Sequence, residues 1–250
     1  MKGVRDTVFL FGRSMRHVQR SPDTIITVAV MPVMIMALFV YVFGGAIDTG
    51  ADSSVDYMLP GILLIAVATG ISYTAVRIFT DTQQGIVARL HSLPVARSSV
   101  LWGQVLTSLA STAISLVLIV GVALAMGFRS GAGPAGWLAA AGILALFTLA
   151  LTWLAVVPGL TARTVDGASA FAYPLVLLPF VSSAFVPTQT MPGPVRVFAD
   201  AQPVTAIVDA LRSLLGGQPV GSDVWTALAW CAGIGVVAFL VATRVHRRIP

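Results

Sequence analysis

Six stretches of the chain carry no charged side chain at all: residues 25–43, 57–76, 98–128, 130–162, 167–195 and 224–243. A helix rises about 1.5 Å per residue and a bilayer's hydrocarbon core is about 30 Å thick, so about 20 apolar residues suffice to cross it. Only 10% of the residues are charged and 57% are hydrophobic, whereas soluble domains carry about 25% charged residues. The mean hydropathy is +0.91. A water-soluble globule of this length has too little interior to hide so much apolar surface. The reading is an all-α integral membrane protein with six transmembrane helices, at about 25–43, 57–77, 100–127, 137–160, 168–186 and 224–243. Arg129 alone divides the third stretch from the fourth, but Gly127, Gly131, Gly133, Pro134 and Gly136 surround it and read as a hairpin loop.

Orientation follows from the basic residues, because loops on the cytoplasmic side retain Lys and Arg. Twelve of the fifteen fall on one side: Lys2, Arg5, Arg13, Arg16, Arg20, Arg77, Arg89, Arg97, Arg163, Arg244, Arg247 and Arg248. Arg129, Arg196 and Arg212 fall on the other, together with six of the ten Asp residues. Both termini are therefore expected in the cytoplasm. Tyr41, Tyr57, Trp137 and Trp225 then sit at the outer boundary and Trp102 and Trp153 approach the inner one, as aromatic belts require. This topology, with anionic lipid at the inner surface, accounts for the net charge of +5, and no nucleic-acid partner is expected. Residues 1–20 are polar and basic, unlike a cleaved signal, so the first span is expected to be retained. Cys231 has no second cysteine to pair with in the chain.

Three segments outside the spans show helical periodicity. Val4, Val8, Phe11, Met15 and Val18 share one face, with Arg5, Arg13, Arg16 and Arg20 on much of the rest, so residues 1–21 read as an amphipathic helix lying in the inner headgroup layer. Between the second and third spans, Ile86, Leu90, Leu93 and Arg97 recur at helical spacing. Asp81 or Thr82 is placed to cap the start and Pro94 to limit the end, which gives a short cytoplasmic helix over about 81–94. Before the last span, Val204, Ile207, Val208, Leu211 and Leu214 form an apolar stripe opposite Thr205, Asp209, Arg212 and Ser213, ended by Gly216-Gly217. An extracellular helical hairpin over about 192–216 is expected there, packed on the bundle.

Several chemistries are excluded. A phosphate-binding loop needs a lysine after its glycines, and the sole lysine is Lys2. The chain contains no Glu, so neither an H-E-x-x-H zinc helix nor a Glu general acid can be built. His17, His91 and His246 lie on separate segments and predict no shared metal site. A proton-driven carrier is expected to hold an ionisable group inside the membrane, and the six stretches hold none. No internal repeat is visible. The chain thus reads as a passage without its own source of work.

The loop Asp81-Thr82-Gln83-Gln84-Gly85, continuing through Arg89-Leu90 and Pro94-Val95-Ala96-Arg97 to Gly103-Gln104, resembles the permease subunits of type-2 ATP-binding cassette (ABC) exporters. In that family an acid, a Gly four residues later, an Arg-Leu pair, a Pro-hydrophobic-small-Arg turn and a later Gly-Lys recur in this order. Here Gln104 stands for the Lys and Ala88 for an acid that many members carry. The outer segment from Phe185 through Pro187 to Pro192, with Gln202-Pro203-Val204-Thr205 and Asp209-Ala210-Leu211-Arg212, is similar to the daunorubicin-resistance type, so the resemblance covers residues 1–250 as a single transmembrane domain.

The resemblance implies a half-transporter of the bacterial cytoplasmic membrane. A pair of permease chains, identical or paralogous, forms the pathway, and a pair of separate ABC ATPase chains binds ATP and Mg; no cofactor is expected on this chain itself. It further implies that the helix over 81–94 couples to the ATPase through Asp81, Gln84, Gly85, Arg89, Leu90, Leu93, Pro94 and Arg97. Gly85 would permit close approach, Leu90 and Leu93 would insert as apolar anchors, and Arg89 and Arg97 would pair with acids. The cargo class is a hydrophobic or amphipathic molecule, whether drug, antibiotic or lipid, moved outward. Pro174 and Pro179 either break the fifth span or leave it kinked. A broken span, with Phe185, Pro187, Pro192, Pro203 and Arg212, is the candidate outer gate. Two readings compete: a membrane scaffold that binds an ATPase without transporting, and a membrane-embedded transferase, for which Ser72, Ser182, Ser183 and Asp166 supply no recognisable pair.

Overall fold

A computed structural model describes residues 22–42, 54–85, 97–219 and 221–248, and among them every regular element is helical. They are α1 (Pro22–Ala37, continued by a π turn over Leu38–Val42), α2 (Ser54–Gln83), α3 (Arg97–Ala125), α4 (Pro134–Thr161), α5 (Val165–Ser169), α6 (Ala172–Leu177), α7 (Gly193–Ala201), α8 (Pro203–Leu215) and α9 (Ser222–Arg248). Four stretches are long and apolar enough to cross a membrane: Ser54–Gln83, Leu101–Ala125, Pro134–Thr161 and Ser222–Val245. Two further apolar stretches, Ala29–Val42 and Ala172–Val181, are shorter. The interfacial helix expected over 1–21 lies outside the described residues.

The central post is α2, which touches α1, α3, α4, α5, α6 and α8. Its residues from Tyr57 to Ala68 are buried without a break. From Asp56 to Arg77, the charges flanking its apolar part, the helix rises about 31 Å, the thickness of the hydrocarbon core. The outermost helix, α9, packs chiefly on α4 and leaves Val236, Val237 and Leu240 exposed. In a membrane protein such faces meet lipid or another apolar chain.

Small residues and hydroxyls make the closest helix contacts, as expected where lipid gives no hydrophobic drive for association. A Cβ built on Gly159 of α4 would stand 2.8 Å from the Cβ of Ile78 and 3.1 Å from the carbonyl oxygen of Ala75, so α2 and α4 touch backbone to side chain. Thr74, Ser108 and Thr152 link α2, α3 and α4 through buried hydroxyl hydrogen bonds of 2.9 and 3.2 Å. Further along, the Trp153 ring meets Trp102 edge-on at 5.3 Å and Phe239 at 4.8 Å, which joins α3, α4 and α9.

The fifth span expected over 168–186 is not one helix. It is α5, begun by the Thr164 hydroxyl accepting from the Gly167 N–H at 3.0 Å, then α6, then a 3-10 turn over Leu178–Val181. Pro174 and Pro179 each remove an N–H and crowd the preceding turn, so of the two sequence alternatives the break is the one observed. The helix expected at 81–94 also begins differently, since residues 81–83 form the last turn of α2. Overpacking a tight contact costs roughly 1–3 kcal/mol. Gly159→Val is therefore expected to lower the unfolding midpoint in detergent clearly, whereas Gly142→Val, with nothing within 4 Å of its Cβ position, leaves it nearly unchanged.

Candidate functional site

At one end of the bundle, α2 stops where the chain turns toward α3. The N–H groups of Gln84 and Gly85 donate back to Thr80 and Thr82 at 2.9 and 3.1 Å. Gly85 has φ +68, a left-handed conformation that an L side chain adopts only under strain. Gly85 is thus explained by the helix end itself, whereas the sequence reading had given it only a close approach to a partner. The carboxylate of Asp81, expected to serve an ATPase, accepts from α3, where Gln104 Nε2 donates to its Oδ2 at 2.6 Å. One turn earlier, Arg77 Nη2 lies 3.4 Å from the backbone oxygen of the same Gln104. Arg77 Nε and Gln104 Oε1 are buried without a partner. Gln84 is exposed and Arg97 opens α3. Arg89, Leu90, Leu93 and Pro94 lie outside the described residues.

Between the ends, α2, α3, α4 and the last residue of α8 line an open groove of about 790 Å³. Leu63, Ala110, Val120, Trp137, Leu144 and Leu215 are among its walls, Val117 and Leu124 stand exposed at its mouth, and none of the described residues lining it is charged. Its one hydroxyl, that of Thr148, is spent on the carbonyl oxygen of Leu144 at 2.7 Å. A second apolar recess of about 660 Å³ lies between α1 and Phe180, lined by Met31, Met34, Ile35 and Phe39. Neither space was legible in the sequence, because apolar positions look alike whether they face a neighbour or a void.

At the opposite end, the broken segment is clasped by α8. The Arg212 guanidinium lies 3.9 Å over the Tyr57 ring. Its Nη1 donates to Asp209 Oδ1 at 2.7 Å, and its Nη2 donates to the backbone oxygens of Ser183 at 2.7 Å and Tyr57 at 3.3 Å. Ser183 Oγ donates to the same Asp209 oxygen at 2.7 Å. One residue on, Ala184 seats on Gly61, where a Cβ would come within 2.5 Å. Phe185 is fully buried and stacks on Phe180 and Phe39 with centroids 5.0 and 4.6 Å away. Pro203 opens α8, and the Gln202 side chain just before it donates to the carbonyl of Val181.

Of the residues expected at the outer gate, Phe185 and Arg212 lie at this clasp, whereas Pro203 stands at the other end of α8, in its first turn. Pro174 and Pro179 set the break beneath it, while Pro187 and Pro192 bracket the turn leading to α7, Pro192 in an exposed position. Tyr57, Ser183 and Asp209 were missed as partners, since nothing in their spacing joins them. The loop between α3 and α4 closes on the same place. Ser130 Oγ donates to the Leu215 carbonyl at 2.8 Å, and a Cβ on Gly131 would lie 2.7 Å from the Gly216 oxygen.

Burial lifts the Asp209 carboxyl above the ordinary carboxylate value, outweighing the Ser183 hydrogen bond and the Arg212 charge, which lower it; Asp223 adds to the rise. A carboxyl whose native pKa is raised binds a proton more readily folded than unfolded. Its stabilising contribution is therefore fully present below the ordinary value and is lost as pH rises through the raised one. Melting of the solubilised protein is expected to favour the native chain over Asp209→Asn more at about pH 4 than at pH 7, with the difference between the two flattening above the native carboxyl's titration.

These features define a multi-pass helical membrane protein with an uncharged, apolar groove between its helices. Residues 5–215 match the ABC-2 type transporter family. The chain is 30% identical over 239 residues to the daunorubicin resistance ABC transporter permease protein DrrB1 of Streptomyces coeruleorubidus, covering 94% of this chain and 83% of that one. It is 29% identical over 249 residues to the probable doxorubicin resistance ABC transporter permease protein DrrC of Mycobacterium tuberculosis (strain CDC 1551 / Oshkosh), covering 98% and 89%. The chain therefore belongs to the ABC-2 type transporter family, as a DrrB-like permease subunit of the cytoplasmic membrane.

Proposed function

We propose that this permease moves a hydrophobic or amphipathic molecule outward, with a separate ATPase doing the work. The observation that carries the reading is the open groove of about 790 Å³ with no charged residue among the described residues that line it. A wall of aliphatic side chains and one indole offers an ion no replacement for its hydration, but it solvates a neutral, partly aromatic molecule well. Its volume falls within the roughly 300–1,000 Å³ of small-molecule sites. The drugs for which the relatives are named, daunorubicin and doxorubicin, are of this kind, and a lipid-like cargo has the same chemistry.

In this reading both termini face the cytoplasm, and the turn after Gly85 carries the coupling segment. Leu90 and Leu93 insert into the ATPase, Arg89 and Arg97 pair with its acids, and Gln84 and Pro94 frame the contact. ATP and Mg bind on the partner. A second permease, identical or paralogous, completes the pathway. The clasp at Arg212 and Phe185 closes its outer end, with the segment from Pro174 to Pro192 moving when it opens.

Co-expression with the cognate ATPase tests this. Inverted membrane vesicles are expected to accumulate daunorubicin only when ATP is supplied. The double change Leu90→Asp with Leu93→Asp is expected to cut co-purification of the ATPase by at least about tenfold, since burying a leucine is worth roughly 1.5–3 kcal/mol and about 1.4 kcal/mol is a factor of ten. A thiol at His91→Cys is expected to label from the cytoplasmic side. Labelling from the outer side alone, or daunorubicin movement by the purified chain without ATP, defeats the reading.

A further inference from the structure

The facing ends of α2 and α3 are cross-tied, and the tie uses a residue the family resemblance had assigned to the ATPase. Asp81 stands in the last turn of α2, and Gln104 about two turns into α3. Their hydrogen bond, 2.6 Å from Gln104 Nε2 to Asp81 Oδ2, joins the outgoing stem to the incoming one. Two turns deeper in α2, Thr74 and Ser108 join the same pair of helices at 2.9 Å. The two helices are thus pinned at two levels, and a pair of rods pinned twice can neither slide nor splay independently.

We propose that Asp81 and Gln104 are positioning residues that make α2 and α3 move as one lever when the turn between them is displaced, an inference that rests on the coupling reading above. A charged acceptor strengthens the bond over a neutral one. Arg77, one turn before Asp81, also donates from Nη2 to the Gln104 backbone oxygen at 3.4 Å, a further link between the same two helices.

Asp81→Ala and Gln104→Leu are each expected to reduce daunorubicin-stimulated ATP hydrolysis of the reconstituted complex about fivefold or more, while the ATPase co-purifies in wild-type amount. Asp81→Asn, which still accepts, and Gln104→Lys, which still donates, are expected to keep the stimulation. The double variant Asp81→Ala with Gln104→Leu is expected to be no worse than either single change. Unchanged stimulation in the single variants, additive losses in the double, or loss of ATPase binding in Asp81→Ala overturns the proposal; the last outcome would place Asp81 on the partner instead. A second measurement needs no ATPase. In a Cys231→Ser background, Asp81→Cys with Gln104→Cys is expected to cross-link with a short bifunctional thiol reagent in native membranes. Cross-linking in a chain that moves no daunorubicin with ATP keeps the tie and removes the exporter reading, whereas absence of the cross-link removes the tie whatever the transport.

Discussion

A peptide group in hydrocarbon has no water to bond, so every N–H and carbonyl at membrane depth must find a partner within the protein. An unbroken helix meets that demand alone; a broken one cannot. The segment from Val165 to Phe185 is broken, and the backbone groups left unpaired where its last helical turn ends are taken up one by one. The Pro179 carbonyl accepts from Ser182 Oγ at 2.7 Å, and the Ala184 N–H donates to that same hydroxyl at 3.1 Å. Gln202 supplies the Val181 carbonyl and Arg212 the Ser183 carbonyl. Gln202 and Arg212 belong to the start and the last turn of one amphipathic helix. The helix α8 is therefore a structural requirement of the break.

Arginine is the residue suited to that end of α8. Its planar fork sends Nη1 to the Asp209 carboxylate and Nη2 to two carbonyls while its flat face rests on the Tyr57 ring. A lysine is a point charge and cannot hold those directions at once. The glycines around the clasp act by absence of bulk. Gly217, with φ +70, ends α8, and its Cβ position lies 2.5 Å from the Gly131 oxygen, so two backbones cross there with no room for a side chain.

The spans formed by α2, α3, α4 and α9 were legible because length and lack of charge are local properties. The amphipathic stripe of α8 was legible for the same reason: Val204, Ile207, Val208, Leu211 and Leu214 are all buried. What the sequence left open was tertiary. Whether Pro174 and Pro179 break or bend depends on whether other groups rescue the freed carbonyls, and Gln202 and Arg212 lie more than 20 residues away. The direction of Asp81 was hidden likewise, since its partner sits 23 residues on and the motif containing Asp81 pointed outward.

The two ends of the bundle are joined by one element. Although Pro60 lies inside it, α2 runs from Ser54 to Gln83 without interruption, with the Tyr57 carbonyl and ring held at one end and Asp81 at the other. A helix of this length behaves as a stiff rod, held in the third nearer Asp81 by the hydroxyls of Thr74, Ser108 and Thr152 and by the Gly159 contact with Ala75 and Ile78. A tilt of such a rod about that point displaces its two ends in opposite directions, and the longer arm, toward Tyr57, the more. In the transport reading proposed above, a displacement that loads the Asp81 tie would also reach the Arg212 clasp and the groove walled on one side by Leu63 of the same helix. Communication across the membrane would then need no chain of side chains, because a single packed helix is shared by both ends and by the groove.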